Sequence, residues 1–83
     1  MDKVLVKLYV PVLEEVYDIW IPTRKKIYNV VKLIVRIIDE LNEYGYNSKE
    51  FPNLYDKATA EKYDMNLTIK ESSIRNGSEL ILI

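Results

Sequence analysis

The chain has no cysteine and no histidine. Without cysteine there can be no disulfide framework, thiolate metal site or thiol nucleophile. Without histidine the usual near-neutral general base, the Ser-His-Asp arrangements and imidazole zinc ligands are missing too. Glycine is scarce: Gly45 and Gly77 stand alone, so no glycine-rich loop is available to cradle a phosphate. Neither sign of charge dominates. Twelve Lys and Arg against 13 Asp and Glu leave a net charge of -1, which gives no global attraction to nucleic-acid phosphates or anionic lipid. A nucleic-acid binder is disfavoured further because no continuous basic stripe exists. The longest apolar-rich stretch, Ile27 to Leu41, is broken by Asn29, Lys32, Arg36, Asp39 and Glu40 and falls short of the roughly 20 residues that span a bilayer. The start MDKVLVKLYV lacks a small-residue cleavage site and carries an acid at position 2, unlike a secretory signal. These absences lead us to expect a cytoplasmic, non-catalytic protein without metal or cofactor and without membrane insertion.

What is present suits one soluble domain spanning residues 1–83, with 48% hydrophobic and 30% charged residues. Such a domain buries roughly 60 to 65 per cent of its unfolded surface and is only marginally stable. From Val4 to Val10 the chain alternates, with Val4, Val6, Leu8 and Val10 on one face and Leu5, Lys7 and Tyr9 on the other. Pro11 to Glu14 reads as a turn. Glu15 to Ile21 alternates again, placing Tyr17, Ile19 and Ile21 opposite Val16, Asp18 and Trp20, and the two strands make a hairpin. Pro22 closes the second strand, Thr23 is a good N-cap, and apolar residues at 27, 30, 31, 34, 37, 38 and 41 predict a helix of about five turns ending by Gly45.

Tyr46 to Asn53 is polar, contains Pro52 and reads as a surface loop. Leu54-Tyr55 predicts a short third strand, Asp56-Lys57 a turn, and Ala60 to Tyr63 a weak fourth strand. Thr68 is placed to cap a single turn holding Ile69, with Ile74 beneath the sheet. Asn76-Gly77 is a turn signal because both residues tolerate positive φ, and it launches a last strand with Leu80 and Leu82 on one face. An amphipathic helix must bury its stripe, so this order predicts an α+β domain: a twisted mixed sheet of four to five strands packed on one long helix.

The segments VLVKLYV, EVYDIWIP, TRKKIYNVVKLIVRIIDEL and LTIKESSIRNGSELILI together resemble the ubiquitin-like β-grasp fold over nearly the whole chain. In that fold a threonine-leucine pair opens a short turn. An isoleucine enters the core five residues later, and the last strand's first core leucine follows after six more. Thr68-Ile69, Ile74 and Leu80 match that spacing. Conjugated modifiers and sulfur carriers of this fold end in Gly-Gly, where this chain has Leu82-Ile83. A relative whose tail is absent or lost is the alternative reading. Size, element order and the Ile-x-Asn-Gly-x-x-Leu ending are similar to the bacterial YukD/EsaB family associated with type VII (WXG100) secretion. That resemblance implies an accessory or regulatory protein of the secretion machinery, acting through protein contacts.

Candidate surfaces follow from the alternation. If Tyr17, Ile19 and Ile21 face the helix, Leu5, Tyr9, Trp20, Ile81 and Ile83, joined by Tyr55, form an outer apolar patch for a protein partner, as on this face of ubiquitin-like domains. Ile27, Val30, Val31, Ile34, Ile38 and Leu41 are expected to be core, while Leu33, Val35 and Ile37 widen the stripe and leave room for a second surface, a homodimer contact included. Arg24, Lys25 and Lys26 fall in the first helical turn of this reading and Asp39-Glu40 near its end, both against the macrodipole at roughly 0.3 to 1 kcal/mol per charge. They suggest a basic spot for an acidic partner. The adjacent carboxylates Glu14-Glu15 and Asp39-Glu40 point apart in strand and helix alike and read as solvated surface.

Overall fold

A computed structural model describes residues 2–41 and 50–83. Strand β1 (Lys3–Val10) and strand β2 (Glu15–Pro22) form the expected hairpin. Between them Pro11–Leu13 makes one 3-10 turn with proline in its first turn, where a missing N–H costs nothing. Glu14 closes it in the left-handed region at φ 53°, its N–H donating to the Pro11 carbonyl. Helix α1 (Ile27–Leu41) follows, then β3 (Leu54–Asp56) and β4 (Glu79–Leu82). The sheet order is β2-β1-β4-β3, with β1 and β4 parallel and the other two pairings antiparallel.

Val6, Leu8 and Val10 of β1, Ile21 of β2 and Leu80 and Leu82 of β4 are buried on the inner face. Ile27, Val30, Val31, Ile34 and Ile38 of α1 close over them, with Leu54, Tyr63, Ile69 and Ile74 completing the core. The period-2 and period-3.6 patterns thus meet in one layer of helix on sheet.

Three local expectations need correction. The helix begins at Ile27, four residues after Thr23, so Arg24, Lys25 and Lys26 precede it instead of filling its first turn. Thr23 is engaged through its backbone: its N–H donates to Asp2 O at 2.8 Å and its carbonyl accepts from Lys70 N–H at 2.8 Å. The first free N–H groups of α1 find carbonyls elsewhere in the chain, Ile27 to Leu67 O at 2.8 Å and Tyr28 to Met65 O at 3.0 Å. Those donors therefore need no side-chain cap. Second, Ala60 to Tyr63 is not a strand, and only an isolated bridge joins Tyr55 to Lys62. Asp56 Oδ1 accepts the N–H of Ala58 at 2.8 Å and of Thr59 at 3.3 Å, winding a turn there, and Ala60 sits at φ 63°. Third, Leu41 is 66% exposed, off the core stripe. The predicted helix end at Gly45 lies outside the described residues, as does the first half of the predicted loop, residues 46–49.

The last third of the chain follows the expected course. Thr68 Oγ1 accepts the Glu71 N–H at 3.1 Å while Glu71 Oε1 accepts the Thr68 N–H at 2.9 Å, a reciprocal cap on the turn that buries Ile69. The buried Ser72 hydroxyl donates to Ile69 O at 2.6 Å and accepts the Ile74 N–H at 3.1 Å, which leaves the turn's exit satisfied under the sheet. Of the Asn76-Gly77 pair only Gly77 takes positive φ, at 90°.

Candidate functional site

The outer face of the sheet is built in cross-strand rows, because directly opposed residues share a face. Leu5 lies opposite Trp20 in one row. Lys7 lies between Asp18 and Glu79 in the next. Tyr9 lies between Val16 and Ile81, and Ile81 faces Tyr55, so the third row crosses all four strands. All six expected patch residues are therefore on the outer face. The charged row Asp18–Lys7–Glu79 divides them into Leu5 with Trp20 on one side and Tyr9, Tyr55 and Ile81 on the other. Ile83, 63% exposed, extends the second group along β4 beside Asn53, with which it exchanges two backbone hydrogen bonds.

The second group is braced. The Tyr9 hydroxyl donates to Glu79 Oε1 at 3.2 Å, and Lys57 Nζ sits 4.6 Å from the Tyr9 ring centroid. Trp20 belongs to two surfaces. It is 54% exposed on the outer face, and it also lines the mouth of an apolar groove between β2 and α1. Ile19, Ile21, Leu33, Ile37 and Leu41 line that groove, which holds about 120 Å³. Half-exposed Leu33 and Ile37, part of the stripe's excess width, open onto it.

The three cations before α1 have different surroundings. Arg24 Nε pairs with Asp2 Oδ1 at 3.3 Å, both side chains well exposed. Lys26 is tied by its backbone to Thr68. Lys25 instead shares a shallow depression with Lys32 and Arg36 of α1, next to Leu33. Sequence reasoning missed Lys32 and Arg36 as companions of Lys25, although a helix running from Thr23, as expected there, would have put 25, 32 and 36 on one side.

Among the described residues no three Asp or Glu side chains gather to hold a metal ion. The carboxylates of Glu71 and Asp56 hold local structure together. Two bonds from Thr68, first to its N–H, hold Glu71 below the ordinary carboxylate range. Burial is the main cause that raises the Tyr63 phenol, whose hydroxyl donates to Asp56 Oδ2 at 3.1 Å and accepts from Ser73 Oγ at 3.4 Å. No described helix is long and apolar enough to cross a membrane.

No family model matches the chain, and no curated protein matches it by sequence. Solved structures match it by shape. A chain of toluene 4-monooxygenase, in complex with the inhibitor 4-bromobenzoate, aligns at TM-score 0.79 and 10% identity over 96% of this chain and 95% of that one. The ubiquitin-like domain of an Arabidopsis thaliana protein aligns at 0.71 and 14% identity, over 100% of this chain and 78% of that one. The ubiquitin-like domain of the Mycobacterium tuberculosis type VII secretion system protein ECCD1 aligns at 0.68 and 11% identity, over 100% and 99%. The likeness is one of fold, and the chain is a ubiquitin-like β-grasp domain of the α+β class.

Proposed function

We propose that the protein is a non-catalytic ubiquitin-like module that binds a protein partner through its outer sheet face, as a cytosolic accessory or regulatory component of a type VII (WXG100) secretion system. The observation that carries the binding reading is the row Val16–Tyr9–Ile81–Tyr55, extended by exposed Ile83. Val16 and Ile83 are exposed and Tyr9, Ile81 and Tyr55 partly so, which makes the row one contiguous strip instead of isolated side chains. The shared fold with the ECCD1 domain supports the secretion setting, as does the likeness of the chain's ending to the YukD/EsaB family. Lys25 assists by offering charge to an acidic partner, since Arg24 is paired with Asp2 and the Lys26 charge acts on Glu71.

The test is co-purification from bacterial cells of the tagged chain with the membrane ATPase and WXG100 proteins of such a system. Wild type is expected to retain at least one of them, and the pair Tyr55→Asp with Ile83→Asp to retain roughly tenfold less, with an unchanged circular dichroism spectrum. Capture of none of these proteins overturns the secretion role, and undiminished capture by the double variant overturns the outer-face site.

A further inference from the structure

The open end of the hairpin of β1 and β2 meets the turn that follows Thr68, and backbone hydrogen bonds tie the two together. The Thr23 N–H donates to Asp2 O and the Lys70 N–H to Thr23 O, each at 2.8 Å. Beside this junction lies a depression of about 350 Å³, lined by Arg24, Lys70 and Arg75, which come from three separate stretches of the chain. Asp2 is the one carboxylate on its wall among the described residues, and it pairs with Arg24. Among the described residues no carboxylate pairs with Lys70 or Arg75.

Arg75 is the fixed member of the group. Its Nη1 donates to Ser72 O at 2.7 Å and to Ile74 O at 2.8 Å, which holds the guanidinium in place. Its backbone is held as well, because its N–H donates to Ser78 Oγ at 2.8 Å and its carbonyl accepts the Ser78 N–H at 3.0 Å. The N–H groups on Nε and Nη2 remain for a ligand, in the fork geometry that binds oxyanions through paired bonds. A side chain already fixed loses little conformational entropy when a ligand arrives. Buried Ile74 forms part of the wall, so one side of the depression is closed to water.

We propose that this depression binds a phosphate group. Charge decides the class of ligand. Three cations against one carboxylate leave a surplus of two positive charges around the depression. A phosphate monoester carries a charge of about −1.5 to −2 and three acceptor oxygens, which balances that surplus and gives each cation a partner. A single carboxylate balances half of it. Both a phosphorylated side chain of a protein and a free phosphate ester present this chemistry, and the test separates them. The site shares no residue with the outer-face row and stands independently of the partner proposed for that row.

The test is a titration of the isotope-labelled full chain, followed by backbone amide shifts at about 0.15 M ionic strength. The probes are inorganic phosphate, an alanine-flanked phosphoserine peptide and the same peptide carrying aspartate. Wild type is expected to saturate with phosphate and with the phosphopeptide, the shifts centring on Thr23, Lys70 and Arg75. Tighter binding of the phosphopeptide assigns the site to a phosphorylated protein, and equal or tighter binding of inorganic phosphate to a free phosphate ester. Arg75→Lys keeps the charge but gives up the fork, and should bind roughly tenfold more weakly. Lys70→Gln, at an exposed side chain, should also weaken binding and covers the case in which the Arg75 variant does not fold. The pair Tyr55→Asp with Ile83→Asp should bind phosphate as wild type does, which separates this site from the outer face. Failure to saturate with either phosphate probe up to roughly 10 mM overturns the proposal. Binding of the aspartate peptide at the strength of the phosphopeptide overturns it too, as does undiminished phosphate binding by Lys70→Gln or by a folded Arg75→Lys.

Discussion

Asn76 lends its side-chain oxygen to Leu5, accepting the Leu5 N–H at 2.8 Å across 71 residues of chain. The next residue returns the contact, since the Gly77 N–H donates to Leu5 O at 2.7 Å. Together they continue the β1–β4 ladder beyond its last paired strand residues and fix the register that puts Leu80 and Leu82 in the core. Gly77→Ala meets no atom within 4 Å at its new Cβ, so its cost comes from the backbone at φ 90° alone. A loss of about 1 kcal/mol is expected for it. Asn76→Ala leaves the Leu5 N–H to water and should cost a similar amount, about 1 kcal/mol. Urea unfolding of the two variants measures both.

The reciprocal cap between Thr68 and Glu71 makes stability depend on acid. Glu71 is held below its ordinary range by hydrogen bonds from Thr68. Its contribution is therefore fully present above the unfolded carboxylate value and disappears as pH falls through the lowered folded value. Thr68→Ala should lose about 1 kcal/mol at neutral pH. Glu71→Gln should flatten the acid limb of a melting-temperature profile relative to wild type. An unchanged limb would show that the cap carries no ionic share.

Much of this fold could be read from residue order because burial imposes a period. Val6, Leu8 and Val10 had to face one way and Ile27, Val31, Ile34 and Ile38 had to line a stripe, and the spacing Thr68, Ile69, Ile74, Leu80 located the turn and last strand. The start of α1 was not readable: its first donors are satisfied by Leu67 and Met65 carbonyls, while Thr23 carried every local sign of a cap. Likewise the side chain of Asp56 winds residues 57–59 into a turn that overrides the strand pattern of Ala60 to Tyr63. On the candidate site, alternation placed Leu5, Tyr9, Trp20, Tyr55, Ile81 and Ile83 on one face. Alternation also set Lys7 between Leu5 and Tyr9 and Asp18 between Val16 and Trp20, and only strand register could reveal that Asp18, Lys7 and Glu79 line up as one dividing row. The groove beside β2 needs a tertiary angle between helix and edge strand, which no periodicity contains.

Tyr63 should give the protein an alkaline sensitivity of opposite sign. Its phenol is raised chiefly by burial, so the folded state holds the proton more tightly than the unfolded chain does. Stability is complete below the ordinary phenol value of about 10 and declines as pH rises past it toward the raised folded value. Tyr63→Phe removes the bonds to Asp56 and Ser73 at a cost of about 1 kcal/mol at neutral pH. It should also show a shallower decline between neutral and strongly alkaline pH, read by thermal melts at each pH.

Ile69 and Ile83 are both apolar residues of the last segment, and pattern alone treats them alike. Ile69 is fully buried, packed among the core side chains under a turn in which the side chains of Thr68, Glu71 and Ser72 are engaged. Cutting it to alanine removes three carbons from a site with no slack, and the satisfied turn above resists collapse into the void. A loss of about 2 to 5 kcal/mol is expected, enough to threaten folding of a domain this small. Ile83 is 63% exposed and held by its backbone, its N–H donating to Asn53 O at 3.0 Å. Ile83→Ala keeps that bond and should lie within about 0.5 kcal/mol of wild type. Denaturant midpoints of the two variants, compared at equal slope, check the contrast. A costly Ile83→Ala would mean that the outer end of β4 is covered in the monomer, which would withdraw it from any partner surface.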